Sequence, residues 1–175
     1  MKFKELLGMQ KQLDETVEKP RKSGYIPRKR TLLDIKLALD DEFQEWLREL
    51  PDEYNFKTWK EKIYDREKEL IELTDILFFF LAYINLKKGI EKNNCCRVWD
   101  NFKPRFSVYN DEKDFLVEIQ EFKQHLWFRE YLSYALMKYI NIVLLRGFTK
   151  EDIVNQYCKK WKENISSRVD GDWSL

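Results

Sequence analysis

Histidine is nearly absent from this chain: His125 is the single one among 175 residues. A histidine-based metal centre or a Ser-His-Asp triad therefore has almost nothing to draw on. The cysteines, Cys95, Cys96 and Cys158, are odd in number and two are adjacent. They give neither a disulfide framework nor a zinc spacing, and a reducing, cytoplasmic setting is the expectation. Charge of one sign is also lacking, since 32 Lys and Arg face 31 Asp and Glu. A net charge of +1 supplies no global attraction to nucleic acid or to an anionic membrane. The longest apolar run, Ile76 to Ile84, is too short to cross a bilayer. The Met1-Lys2-Phe3-Lys4 start has no signal-peptide pattern. The five glycines are scattered and no G-x-x-x-x-G-K appears, so a P-loop kinase or ATPase is not expected.

Scarce glycine and only four prolines leave long stretches with helical periodicity. No segment alternates as a strand does. The expected fold is all-α, a multi-helix bundle forming one domain over residues 1–175. Helices are expected over roughly 2–18, 31–50, 60–88 and 112–145, the last with a break, and from Thr149 onward. Pro20 closes the first. Thr31, with Asp34 three residues on, caps the second, and Pro51 follows it. The third is apolar on nearly all sides between Leu70 and Leu86, as befits a helix buried on most faces. Gly147 ends the fourth, and Thr149 with Asp152 opens the fifth. Residues 20–30 form a basic loop, either a solvated face or a segment that steers phosphate. Residues 90–111 are expected to be irregular, with a short helix at most. The aromatic share, 15%, exceeds what bulk requires, which points to a flat-ligand pocket or a subunit interface beside ordinary core packing.

Two acidic pairs carry the chemistry: Glu42 with Glu45, and Glu72 with Asp75. Each has i,i+3 spacing within a predicted helix, so each pair occupies one face. They stand beside Phe43 and Trp46 and before the Ile76–Leu81 run, where an unpaired carboxylate is costly to bury. If the two helices pack together, four oxygen donors converge. Such a set suits Mg²⁺, with Mn²⁺ as a substitute, and Mg²⁺ suits phosphate chemistry. A coordinated water becomes acidic, and a free carboxylate takes its proton.

The run Ala38–Trp46, the element Phe56-Lys57-Thr58-Trp59, and Glu69–Phe79 resemble the dimeric all-α dUTPases. That family lies within the all-α nucleoside triphosphate pyrophosphohydrolases, which include the MazG-type enzymes. Its pattern is E-x-x-E, then F-K-x-W, then E-x-x-D before an apolar segment. Gln10-x-x-Leu13-Asp14 is similar to its N-terminal element, and Tyr157-x-x-Lys160-x-x-x-Asn164 to its C-terminal one. The resemblance implies Mg²⁺ held by Glu42, Glu45, Glu72 and Asp75, with one glutamate of the first pair activating water. It places Gln10 and Asp14 near the base, Trp59 as a closing wall with Lys57 nearby, and Lys160, Asn164 and Arg168 at phosphates and sugar. The implied reaction is hydrolysis of dUTP, often also of dUDP, to dUMP and, from dUTP, pyrophosphate. That activity clears dUTP from the nucleotide pool and supplies a dTMP precursor. The implied assembly is a homodimer in which the partner chain adds to the pocket and the third helix supplies the interface.

The chain departs from this pattern in places. Phe78-Phe79 stands where the family usually reads His-Phe. The ending after Asn164 places Ser167 where Arg is expected and Asp172 where Tyr is. Asp14 replaces a usual Asn and cannot donate as an amide does. Two other readings remain open at this level. One is a pyrophosphohydrolase for another base, such as dCTP or a modified nucleotide. The other is a helical interaction protein without activity. On sequence alone, Trp161 reads as core, His125 as a satisfied, partly buried residue, and Cys95 and Cys96 as inert.

Overall fold

The computed structural model describes residues 1–87, 89, 91–103, 112–129 and 131–169, with the side chains of 112–114, 168 and 169 excepted. Regular structure among the described residues is entirely helical. It comprises α1 (Phe3–Val17), α2 (Leu32–Glu49), α3 (Arg66–Leu86), α4 (Glu91–Asn101), α5 (Glu112–Gln124), a π-helical turn (His125–Arg129), α6 (Leu132–Leu145) and α7 (Lys150–Val169).

Helix α3 is the centre. It packs on α2, α1 and α7, while α6 is held by α4 and α5. Leu73, Ile76, Leu77, Phe80, Leu81 and Tyr83 are all buried, on every side of the helix, as the near-continuous apolar run predicts. Each such side chain contributes roughly 1.5–3 kcal/mol on leaving water. Most of the apolar surface of α3 thus lies within the chain's own core. The most exposed apolar side chains among the described residues include Leu33, Trp59, Ile63 and Phe128.

The capping chemistry sets the helix limits. Thr31 Oγ1 accepts from the Asp34 amide while Asp34 accepts from the Thr31 amide, a reciprocal cap at the head of α2. Thr149 and Asp152 repeat it at α7. Helix α3 begins later than its periodicity suggests, at Arg66 rather than near residue 60. The Asp65 carboxylate accepts from the Glu67 and Lys68 amides and fixes the start there. At the end of α6, Gly147 takes φ 72°, and the Phe148 and Gly147 amides bond back to Val143 and Leu144. This is a Schellman stop that needs a residue tolerant of positive φ.

Two expectations need correction. Glu91–Asn101, read as part of an irregular connection, is an eleven-residue helix whose Cys95, Cys96 and Trp99 are buried. Polar Asn93 and Asn94 masked that stripe. Burial drives the Cys95 thiol up to about 12, so its inertness holds. The stretch 112–145 is broken as expected, by the π-helical turn. His125 in that turn is buried and stacked on Tyr134 at 5.3 Å, but its Nδ1 has no hydrogen-bond partner. Burial lowers its pKa and keeps it neutral. Residues 104–111 and the 170–175 ending, with Gly171, Asp172 and Trp173, lie outside the described residues.

Candidate functional site

The packing of α2 on α3 brings the acidic pairs together. Carboxylate oxygens of Glu42, Glu45 and Glu72 lie within 4.8 Å of one another. Three carboxylates at that range repel, and Glu42 and Glu72 are half-buried. Burial, followed by repulsion from Asp75 and Glu45, raises both Glu42 and Glu72 from the ordinary 4.5 to about 7. Asp75 does not join the three. It is drawn into an ion pair with Lys160, which reaches it from α7, 85 residues away in the chain. Burial raises the Asp75 carboxyl and Lys160 opposes that rise.

The donor set fits Mg²⁺. Ligands opposite one another on an ion with oxygens at roughly 2.1 Å stand about 4.2 Å apart, and adjacent ones about 3 Å. Oxygens already within 4.8 Å need only small shifts to share one ion. The raised pKa values say the same thing electrostatically: burial and mutual repulsion outweigh the charge of Lys160, and a divalent cation would offset them.

Beside the cluster lies a cleft of about 350 Å³, within the range of small-molecule sites. Glu42 and Asp75 form its acidic edge, with Lys160 and Asn164 from α7 alongside. Leu13, Val17, Phe78 and Phe79 give apolar walls. Phe78 itself stacks on Tyr157 with ring centroids 4.1 Å apart. Gln10, Asp14 and Arg30 add a polar wall. Helix α1 presents Gln10 in the middle of its buried stripe of Phe3, Leu6, Leu7 and Leu13. A buried amide there needs partners, and it has them. Tyr157 donates its hydroxyl to Gln10 Oε1 at 3.0 Å, and Gln10 Nε2 donates to Asp14 Oδ1 at 2.9 Å. Arg30 Nη2 donates to the same Asp14 oxygen at 2.6 Å. Burial raises the Asp14 carboxyl, while Gln10 and then Arg30 pull it back down.

The residues named from the sequence thus divide. Gln10, Asp14, Glu42, Asp75, Lys160 and Asn164 meet in one cleft, with Glu45 and Glu72 completing the acidic cluster beside it. Lys57 and Trp59 do not line that cleft. They line a separate depression with Asp52, Thr58 and Lys60, where Trp59 is 72% exposed. The Arg168 side chain lies outside the described residues. Arg30 escaped the sequence reading as a site residue, being one cation in a basic loop, and Tyr157 stood in the quoted C-terminal element with no partner named for it. The loop's charge beside α2 was the only signal for Arg30. A further depression of about 410 Å³, lined by Asn94, Arg97, Ser133, Tyr134 and Met137, holds no carboxylate among the described residues.

Helices alone, packed so that a carboxylate cluster borders a part-apolar cleft, are the arrangement of the all-α nucleotide pyrophosphohydrolases. The chain matches the dUTPase family over residues 2–171, and it belongs to that all-α dUTPase family as a dUTPase-type nucleotide hydrolase. Curated proteins compared with it give no match.

Proposed function

We propose that this protein hydrolyses dUTP, and also dUDP, with Mg²⁺ held by Glu42, Glu45, Glu72 and Asp75. The observation that carries the reading is the carboxylate cluster at the edge of a cleft large enough for a nucleotide. An Mg²⁺ ion held there would neutralise phosphate oxygens and acidify the attacking water. Glu45, the exposed member of the cluster, faces the solvent from which that water comes and takes its proton. Lys160 and Asn164, one turn apart on α7, receive the phosphates. In doing so Lys160 leaves Asp75, which then becomes available as the fourth ligand. Phe78 and Phe79 pack on the sugar and base, and the polar wall of α1 reads the base edge.

A homodimer belongs to this reading. Trp59 stands exposed and apart from its own cleft, which supports a role for it against a second copy. A nucleotide panel with pyrophosphate detection tests the activity, and sedimentation equilibrium on the same preparation tests the assembly. The expected result is dUMP and pyrophosphate in equal amounts from dUTP, with twice the chain mass in solution. Turnover of dCTP or a purine nucleotide without dUTP overturns the base assignment. No turnover of any nucleotide with Mg²⁺ or Mn²⁺ leaves the helical interaction protein, and a single-chain mass removes the dimer.

The raised pKa values of Glu42 and Glu72 make a pH prediction. Between about 4.5 and 7, each carboxyl keeps its proton in the fold while the unfolded chain releases it. The folded state then binds more protons, so its stability falls as pH rises through that window. The metal-free protein should melt at a lower temperature at pH 8 than at pH 5.5. Added Mg²⁺ should raise the midpoint more at pH 8, where no protons need displacing. Equal Mg²⁺ shifts at both pH values, read by thermal denaturation, count against the cluster as the ion site.

A further inference from the structure

The depression between α4 and α6 stands apart from the acidic cleft, which is built mainly from α1, α2, α3 and α7. At about 410 Å³ it has the size of a small-molecule site. Its two helices contribute different chemistry. Asn94, Arg97 and Asn101 lie on one face of α4, at helical spacing, and give polar groups. Arg97 donates one guanidinium N–H to Asn94 Oδ1, so the Asn94 nitrogen and the other guanidinium N–H groups stay available to donate. From α6 come the Ser133 hydroxyl, the Tyr134 ring and the Met137 thioether. Arg97 is the one charged residue in this lining. Glu91 commits its carboxylate to the Ser133 amide at 3.1 Å, at the head of α6, and does not line the depression. The Tyr134 ring is backed by His125, stacked at 5.3 Å and 25°. His125 is 8% exposed, belongs to the π-helical turn before α6, and finds no partner for Nδ1 among the described residues. An orphaned buried nitrogen and a π-helical turn both cost stability, and proteins keep such features most often beside sites.

We propose that this depression is a second ligand site, for a flat ring carrying a phosphate, the chemistry of a nucleoside monophosphate. The phosphate meets Arg97, with Asn94, Asn101 and Ser133 as further donors. A guanidinium fork matches phosphate oxygens, and hydrogen bonds to a charged acceptor are the strong ones. The ring lies on Tyr134, whose other face His125 already supports, and against Met137. Stacking of this kind tolerates any base, because every base has a π-face. The site therefore recognises ring and phosphate together rather than one particular base. It makes no use of the acidic cluster and does not depend on the dUTP reading of the cleft.

The test is calorimetric titration with AMP and with adenosine, its phosphate-free form. AMP has no phosphoanhydride bond, so turnover adds no heat. AMP should bind at least about tenfold more tightly than adenosine. Arg97→Met should abolish that advantage and leave adenosine unchanged. Tyr134→Leu should weaken AMP and adenosine alike, by about fivefold or more, with Tyr134→Phe restoring both. Arg97 and Tyr134 are exposed, so these variants should fold. They should also hydrolyse dUTP as the wild type does, so failure here leaves the proposed function intact. Lys160→Met, in the other cleft, should leave AMP binding unchanged. AMP binding that is lost in Lys160→Met and kept in Arg97→Met places the nucleotide in the acidic cleft and overturns the proposal. Equal affinity for AMP and adenosine overturns the phosphate assignment, and an unchanged affinity in Tyr134→Leu overturns the stacking. No measurable binding of AMP to the wild-type chain overturns the site itself.

Discussion

Glu45→Gln is expected to remove hydrolysis almost completely while leaving the fold in place. The substitution keeps the shape of the side chain and takes away its charge. Two functions leave with that charge: a hard oxygen ligand and the group proposed to accept the water's proton. General-base loss alone is worth about 10²–10⁴ in rate, and a weakened ion site adds to it. Stability should move the other way. Repulsion from Glu45 is one of the causes that raise Glu42 and Glu72, so removing it relieves the metal-free cluster. Glu45 is also exposed, and no hydrogen bond or ion pair of the core depends on it. The variant should therefore show an unchanged helical circular dichroism spectrum and a metal-free melting temperature no lower than wild type. The Mg²⁺-induced rise in that temperature should shrink. Turnover within a few-fold of wild type would sink the assignment of this cluster to the chemistry.

Arg146→Met should produce the largest loss of stability. Glu69 is 0% exposed, and its charge is held from several directions. Arg146 donates through Nε at 2.7 Å and Nη2 at 3.1 Å, and the Tyr64 hydroxyl donates at 2.6 Å. Trp46 Nε1 adds a longer contact at 3.4 Å. Arg146 also lies over the Tyr54 ring, 5.1 Å from its centroid. Assembling such a pair gains little net free energy, because desolvation offsets attraction. Breaking it by removing one partner strands the other, at about 3–5 kcal/mol. Urea denaturation should show a loss of that size in Arg146→Met. The double variant Glu69→Gln with Arg146→Met should recover part of it, since no buried charge remains and Tyr64 still has an acceptor. If the single variant loses under about 1 kcal/mol, Glu69 is not the uncompensated charge argued here. Activity should fall as well, because Glu69 lies one turn before Glu72 on α3 and fixes the start of that helix against α2 and α6.

The local features of this protein were legible in its sequence because they depend on near neighbours along the chain. The i,i+3 spacing puts Glu42 with Glu45 and Glu72 with Asp75 on single helical faces wherever those helices go. Thr31 and Asp34, or Thr149 and Asp152, cap their helices through groups three residues apart. The apolar run of α3 announces burial by itself. Helix α4 was hidden because asparagines within it weaken the periodicity, although Cys95 and Trp99 still reach the core. The start of α3 was misplaced because Lys60, Glu61 and Lys62 are good helix formers, and only the Asp65 cap shows where the backbone turns.

The sequence by itself thus determined an all-α chain, the faces of its helices and the residue types able to bind a cation. Only the tertiary structure decided who pairs with whom. Lys160 lies 85 residues from Asp75, and Tyr157 lies 147 residues from Gln10. Nothing in a helical period specifies such meetings. They decide that three carboxylates cluster while the fourth is held by a lysine, and that Gln10 is held between Tyr157 and Asp14. Arg30 joins that wall for the same reason. Electrostatic and hydrogen-bond energies depend on separation in space, and the packing of α1, α2, α3 and α7 sets that separation.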